Sequence, residues 1–165
     1  LGALQFASGF RRRYPVWHRR AGRVVYVAGL VVAISALCMT LLYSQKPGTG
    51  DLLYAMRLFF SSLMGMSLIL GFAAIRHRDI PTHRAWMIRA YAIGLAAGTQ
   101  AFTGGISAAL FGVGVLQDDL AKGSGWLINL AIAEWIIRRQ LGAQRHRSST
   151  CEASEGMSGC QVTRL

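Results

Sequence analysis

Val24 to Tyr43 reads VVYVAGLVVAISALCMTLLY, twenty residues without a charge. At 1.5 Å of rise per residue this run spans roughly 30 Å, the thickness of a bilayer's hydrocarbon core. A surface helix of a soluble domain would carry a polar face; this one is apolar all round. Tyr26 and Tyr43 lie near its two ends, where interfacial aromatic side chains concentrate. The stretch decides the fold class: all-α, a polytopic bundle of transmembrane helices.

Working outward, residues 11–23 read RRRYPVWHRRAGR, six arginines and a histidine around Pro15. Proline removes a helical hydrogen bond, so the first spanning helix is expected at about 24–43. Before it the chain opens on LGALQF with no basic segment ahead of an apolar core. That is not a signal peptide, and residues 1–10 read as the end of a truncated upstream helix. After Tyr43, SQKPGTGD is turn chemistry.

A second helix is expected at 52–75, its one charge being Arg57, close enough to the start to snorkel. Pro81 then breaks RHRDIPTHR, with Thr82 as the expected N-cap of a third helix and Asp79 near its positive end. That helix is expected at 84–106, because a run to Leu116 would be roughly 48 Å long. SAALFGVGVL, with its glycines, reads as a short interfacial segment and QDDLAKGSG as a loop. A fourth helix is expected at 123–139. Residues 11–140 thus form the membrane domain, with four spanning helices, and 141–165 a disordered cytoplasmic tail.

The charges fix an orientation. Thirteen arginines precede the first helix, join the second to the third or follow the fourth, while Lys46 and Lys122 occupy the two opposite loops. By the positive-inside rule the first helix starts in the cytoplasm and the C-terminus ends there. The net charge of +11 therefore belongs to the membrane surface and not to nucleic acid. Cys38 sits in an apolar block, where a small buried thiol is expected. Cys151 and Cys160 fall in the cytoplasmic tail, where thiols stay reduced.

Three runs, HRRAGRVVYV (His18 to Val27), HRDIPTHRAWMIRAYA (His77 to Ala92) and WLINLAIAEW (Trp126 to Trp135), resemble a bacterial multi-pass membrane-protein family, domain of unknown function 2306. The resemblance covers residues 1 to about 139, and the middle run is its most specific part. Gly2-Ala3-Leu4-Gln5-Phe6 is similar to the end of the family's preceding helix, which supports a truncated start. One departure stands out: Gln100 occupies a position where members often carry an arginine. The resemblance implies a membrane fold in the bacterial inner membrane and brings no established activity.

Several residues are candidates for chemistry. His18 and His83 lie at cytoplasmic helix ends, and two facing histidines in a bundle can ligate a b-type haem. The alternative is that they belong to the topogenic charge runs. His77, Asp79 and His83 have the residue types of a small metal site, or are solvated loop residues. Arg19, Arg23 and Arg84 are expected to form a rim that binds anionic lipid headgroups, a small anion or a partner. Arg89 and Glu134 fall at nearly equal depth, about 6–8 Å inside the cytoplasmic boundary. An unpaired charge there costs about 2.5–3.5 kcal/mol, so the two are expected to pair, with Arg23 a third candidate. Such a pair either fixes packing or serves a substrate or proton. Asn129 is expected to bond across helices, and Gly94 with Gly98 to permit close packing, within the chain or against an oligomeric partner. No nucleophile with a base, and no paired carboxylates, are visible, so a non-enzymatic role is expected.

Overall fold

The computed structural model describes residues 13–42, 50–111 and 114–155, with side chains described up to residue 143 apart from Phe111. Among these residues the chain is four α-helices: α1 (Pro15–Leu42), α2 (Asp51–Arg76), α3 (Ile80–Phe111) and α4 (Val115–Glu155). The expected upstream helix end at 1–10, and the residues Tyr43, Lys46 and Cys160, lie outside the described residues.

Pro15 does not interrupt a helix; it opens one. At the first helical position its missing N–H and fixed φ cost nothing, and the first bond of α1 runs from the His18 N–H to the Tyr14 carbonyl at 3.0 Å. α1 therefore begins nine residues ahead of the apolar run. Its outer faces stay open, with Ala33 its one buried residue, and Cys38 is exposed and not buried as its setting suggested.

α2 ends in a left-handed stop. The Arg78 N–H bonds the Ile75 carbonyl at 3.1 Å and the Asp79 N–H the Ala74 carbonyl at 2.9 Å, the two bonds of a Schellman motif. Arg78 occupies the position that glycine usually takes, at φ 58°. Asp79 then caps α3: its Oδ1 accepts the Thr82 N–H at 3.1 Å. The N-cap is thus Asp79 and not Thr82, and Pro81 in the first turn has no N–H to leave unmet.

The second half of the chain differs most from expectation. α3 runs through Gly104 and Gly105 to Phe111 instead of ending at 106. QDDLAKGSG is not a loop but the first turns of α4. Asp118 sits at the positive helix end and pairs with Lys122 one turn on. Gly125 reads as a breaker only in isolation. A Cβ there would lie 2.8 Å from Gln100 Cγ and 3.2 Å from the Gln100 nitrogen, so it lets α4 approach the α3 backbone. Residues 141–155, expected to be disordered, continue α4. No proline stops the helix, and extending one already nucleated costs little.

Contacts set the topology. Tyr26 stacks on Phe72 with ring centroids 5.2 Å apart, so the start of α1 meets the end of α2. Leu53 meets Asp119 and Phe60 stacks on Trp126 at 4.9 Å, so α2 and α4 run parallel. Arg89 meets Glu134 and Thr103 meets Ala121, so α3 and α4 are antiparallel. Ile88, Ala92, Ala133 and Ile137 form an apolar core between them. Alternating directions gather the starts of α1 and α3 and the ends of α2 and residues 138–139 at one end of the bundle.

Candidate functional site

The α3–α4 interface carries polar groups along most of its length. Nearest the arginine-rich end, Arg89 Nε donates to Glu134 Oε1 at 2.5 Å, and the Trp86 ring lies 4.7 Å under the Arg89 guanidinium. The two side chains keep 26% and 38% of their exposure, so the pair sits at the surface of the described bundle. Arg138, one helical turn beyond Glu134, is near enough for its charge to act on that carboxylate. Arg23, the third candidate for this pair, is exposed on α1, which packs on α2.

Deeper in, buried Asn129 donates from Nδ2 to the Ala92 carbonyl at 3.3 Å and accepts the Thr99 hydroxyl at 3.1 Å. Next comes Gln100, whose Nε2 is buried without a hydrogen-bond partner among the described residues. Thr103 then donates to the Ala121 carbonyl at 2.6 Å, as does Ser124 at 2.8 Å. From Arg89 to Thr103 the seam covers about 21 Å of helix. Its neutral groups can hold helices together by hydrogen bonds, and only its arginine-rich end carries charge.

At the opposite end Asp119 does what the sequence did not suggest. Its side chain is 2% exposed. Its Oδ1 lies 3.4 Å from the Gly50 nitrogen and its Oδ2 3.3 Å from the Leu53 nitrogen. A carboxylate on α4 therefore caps the start of α2 and faces its positive dipole end. Gly50 has extended backbone and no side-chain cap of its own; a Cβ there would meet the Asp119 carboxylate. The signal available in the sequence was slight: a second aspartate beside one already placed to pair with Lys122.

Two of the remaining candidates are engaged in holding helix ends. His83 Nδ1 lies 2.6 Å from the Gly71 carbonyl oxygen; the carbonyl accepts, so the ring donates and ties α3 to α2. Asp79 is engaged as a cap, and the hydrogen bonds from the Thr82 side chain and N–H hold its carboxyl below the ordinary aspartate value. His77 is exposed at the end of α2. Among the described residues no three His, Cys, Asp or Glu side chains gather to hold a metal ion, so the set His77, Asp79 and His83 does not converge. His18 is half-buried on the first turn of α1. A cavity at the start of α3, lined by Pro81, Arg84, Ala85, Ile137, Gln140 and Leu141, measures about 30 Å³, one water's share of volume. Neither His18 nor His83 lines it.

Gly94 lies within ordinary contact of Met64, at 3.5 Å from an added Cβ, while Gly98 faces open space. Both line an open groove of about 380 Å³ with Leu95, Thr99 and Phe102. The close helix approach occurs at Gly71 and Gly125 instead, because the packed face of α3 runs through Ala92, Ala96 and Thr103. Arg19 and Arg23 are exposed and Arg84 is half-buried.

Compared with known proteins, the chain matches the family model described as predicted membrane protein (DUF2306) over residues 1–137. No curated protein and no solved structure matches it.

Proposed function

The chain belongs to the DUF2306 family of predicted membrane proteins, and from that premise we propose that it is a four-span protein of the bacterial inner membrane. Its arginine-rich end faces the cytoplasm, and its role is non-enzymatic: that end binds anionic lipid headgroups. α1 and α2 are long and apolar enough to cross a membrane. α3 and α4 cross with them on this reading, their polar groups turned to each other along the seam.

The observation that carries the reading is the sorting of charge. Arg13, Arg19, Arg20, Arg23, Arg76, Arg78, Arg138 and Arg139 are all exposed, and all belong to one end of an antiparallel bundle. Opposite them Lys122 is paired with Asp118, and Arg57 is the other described cation. Each basic residue near an anionic leaflet contributes about 1 kcal/mol, so such an end is drawn to the cytoplasmic surface.

Single cysteines placed in a Cys-free background test the topology. With a membrane-impermeant maleimide on intact spheroplasts, K46C and K122C are expected to label, and R78C only after lysis. Labelling of R78C in intact cells overturns the orientation, and failure of K122C to label while K46C does removes the crossing of α3.

A further inference from the structure

Arg89 and Glu134 meet along one edge only. Nε donates to Oε1, and among the described residues the guanidinium's Nη groups and Glu134 Oε2 have no hydrogen-bond partner. That leaves four N–H donors of a delocalised cation unmet at the depth where the hydrocarbon begins. Arginine's planar fork matches a phosphate in two parallel hydrogen bonds. Trp86 walls one side of it, and Arg138 adds a second, exposed cation on the face that carries Glu134. Two arginines and one carboxylate leave one net positive charge, the complement of one phosphodiester. Towards the membrane interior the α4 face that continues from Arg138 and Glu134 is apolar and open: Leu127, two turns before Glu134, is 57% exposed, and Ala131 between them is exposed as well. Free phosphate would leave that surface bare, whereas acyl chains cover it.

We propose that Arg89 and Arg138, with Trp86 as a wall, form a binding site for the phosphodiester of one anionic phospholipid, seated beside Glu134 with its acyl chains along α4. This rests on the orientation and rim reading above and goes beyond it in assigning one defined site within a diffuse positive surface. Glu134 repels the phosphate through its charge, while the oxygen that accepts from Arg89 and aims it is kept when glutamine replaces the glutamate. The site therefore predicts opposite effects for its two kinds of member.

The test is titration of the purified full chain in zwitterionic micelles with phosphatidylglycerol, phosphatidylcholine or inorganic phosphate, bound lipid being read by native mass spectrometry. One phosphatidylglycerol is expected to be retained in preference to phosphatidylcholine. R138Q and R89K each weaken it about tenfold, the value of one charge-assisted hydrogen bond. E134Q tightens it, R78Q, on the rim but outside the site, weakens it by less than either arginine change, and R57Q, at the opposite end of the bundle, leaves it unchanged. A pair that only fixes packing predicts weaker binding in E134Q as well, which overturns the proposal. Because Arg138 is exposed, R138Q decides the matter even where R89K fails to fold. Wild-type binding in R138Q removes the site and leaves the rim reading standing. Equal loss in R78Q means a diffuse rim and no site. Equal retention of phosphatidylcholine by the wild type overturns both readings. Inorganic phosphate that displaces the lipid at equal concentration makes this an anion site and not a lipid site.

Discussion

Replacing Asp119 by alanine is expected to loosen α2 from α4 at the arginine-poor end of the bundle. Both bonds to the carboxylate are long, 3.4 Å to Gly50 and 3.3 Å to Leu53, against the usual ~2.9–3.0 Å. Each is thus worth less than a well-formed bond, and capping contributes about 1 kcal/mol. Removal also strands two N–H groups where Asp119 is 2% exposed, at about 1–3 kcal/mol when a buried donor loses its partner. The sum for D119A is about 2–4 kcal/mol, and D119N, which keeps an acceptor oxygen but no charge for the helix dipole, loses about half as much.

The decisive measurement is a cycle with Gly50, whose φ of −78° and ψ of 156° suit any N-cap residue. In the wild type G50S is expected to destabilise, because its Cβ runs into the Asp119 carboxylate. In D119A the same change supplies a local cap and is expected to stabilise by about 1 kcal/mol. Midpoints from dodecyl sulfate titration in mixed micelles, followed by tryptophan emission, report all four proteins. An effect of G50S that is the same in both backgrounds would falsify the capping role, since independent sites add.

Two further outcomes follow from the opposite end. R89E and E134R are each expected to cut the yield of folded protein, and the double variant R89E/E134R to recover a large part of it. On the four-span reading the single changes leave a charge with no counterion at a depth where it costs about 2.5–3.5 kcal/mol, less the share that water screens at a partly exposed pair; a double variant no better than the singles refutes the pairing. The cap on α3 makes a pH prediction: hydrogen bonds to Thr82 lower the Asp79 pKa in the folded state. Its contribution is therefore present above the unfolded aspartate value and lost as the pH falls through the lower folded one. Stability at neutral pH should not vary on this account, and D79N should flatten the acid limb of the unfolding midpoint. A D79N midpoint that keeps the wild-type acid limb removes Asp79 as its source.

α1 and α2 were legible because their signal is local. Twenty uncharged residues and a second apolar run between turn signals read as helices whatever surrounds them, and Arg57 falls in the second turn of α2. Arg89 and Glu134 were legible for a related reason, since position along a helix translates directly into depth. The start of α4 was opaque because Gly123 and Gly125 carry the local propensity of a loop. Met56 and Gln100 lie where a Cβ at each glycine would go, and only the packed neighbour turns a breaker into a contact. Asp119 could not be read at all: its partners are N–H groups 69 and 66 residues away, and backbone donors leave no mark in a sequence. His83 is the same case, its partner being the Gly71 carbonyl. Hydropathy and charge by themselves determined that this chain belongs in a membrane and which end is positive, because transfer free energy adds residue by residue. Only the tertiary structure decided which helices meet, which glycines admit a neighbour and which carboxylate caps another helix, because these depend on distances between groups that the chain holds far apart.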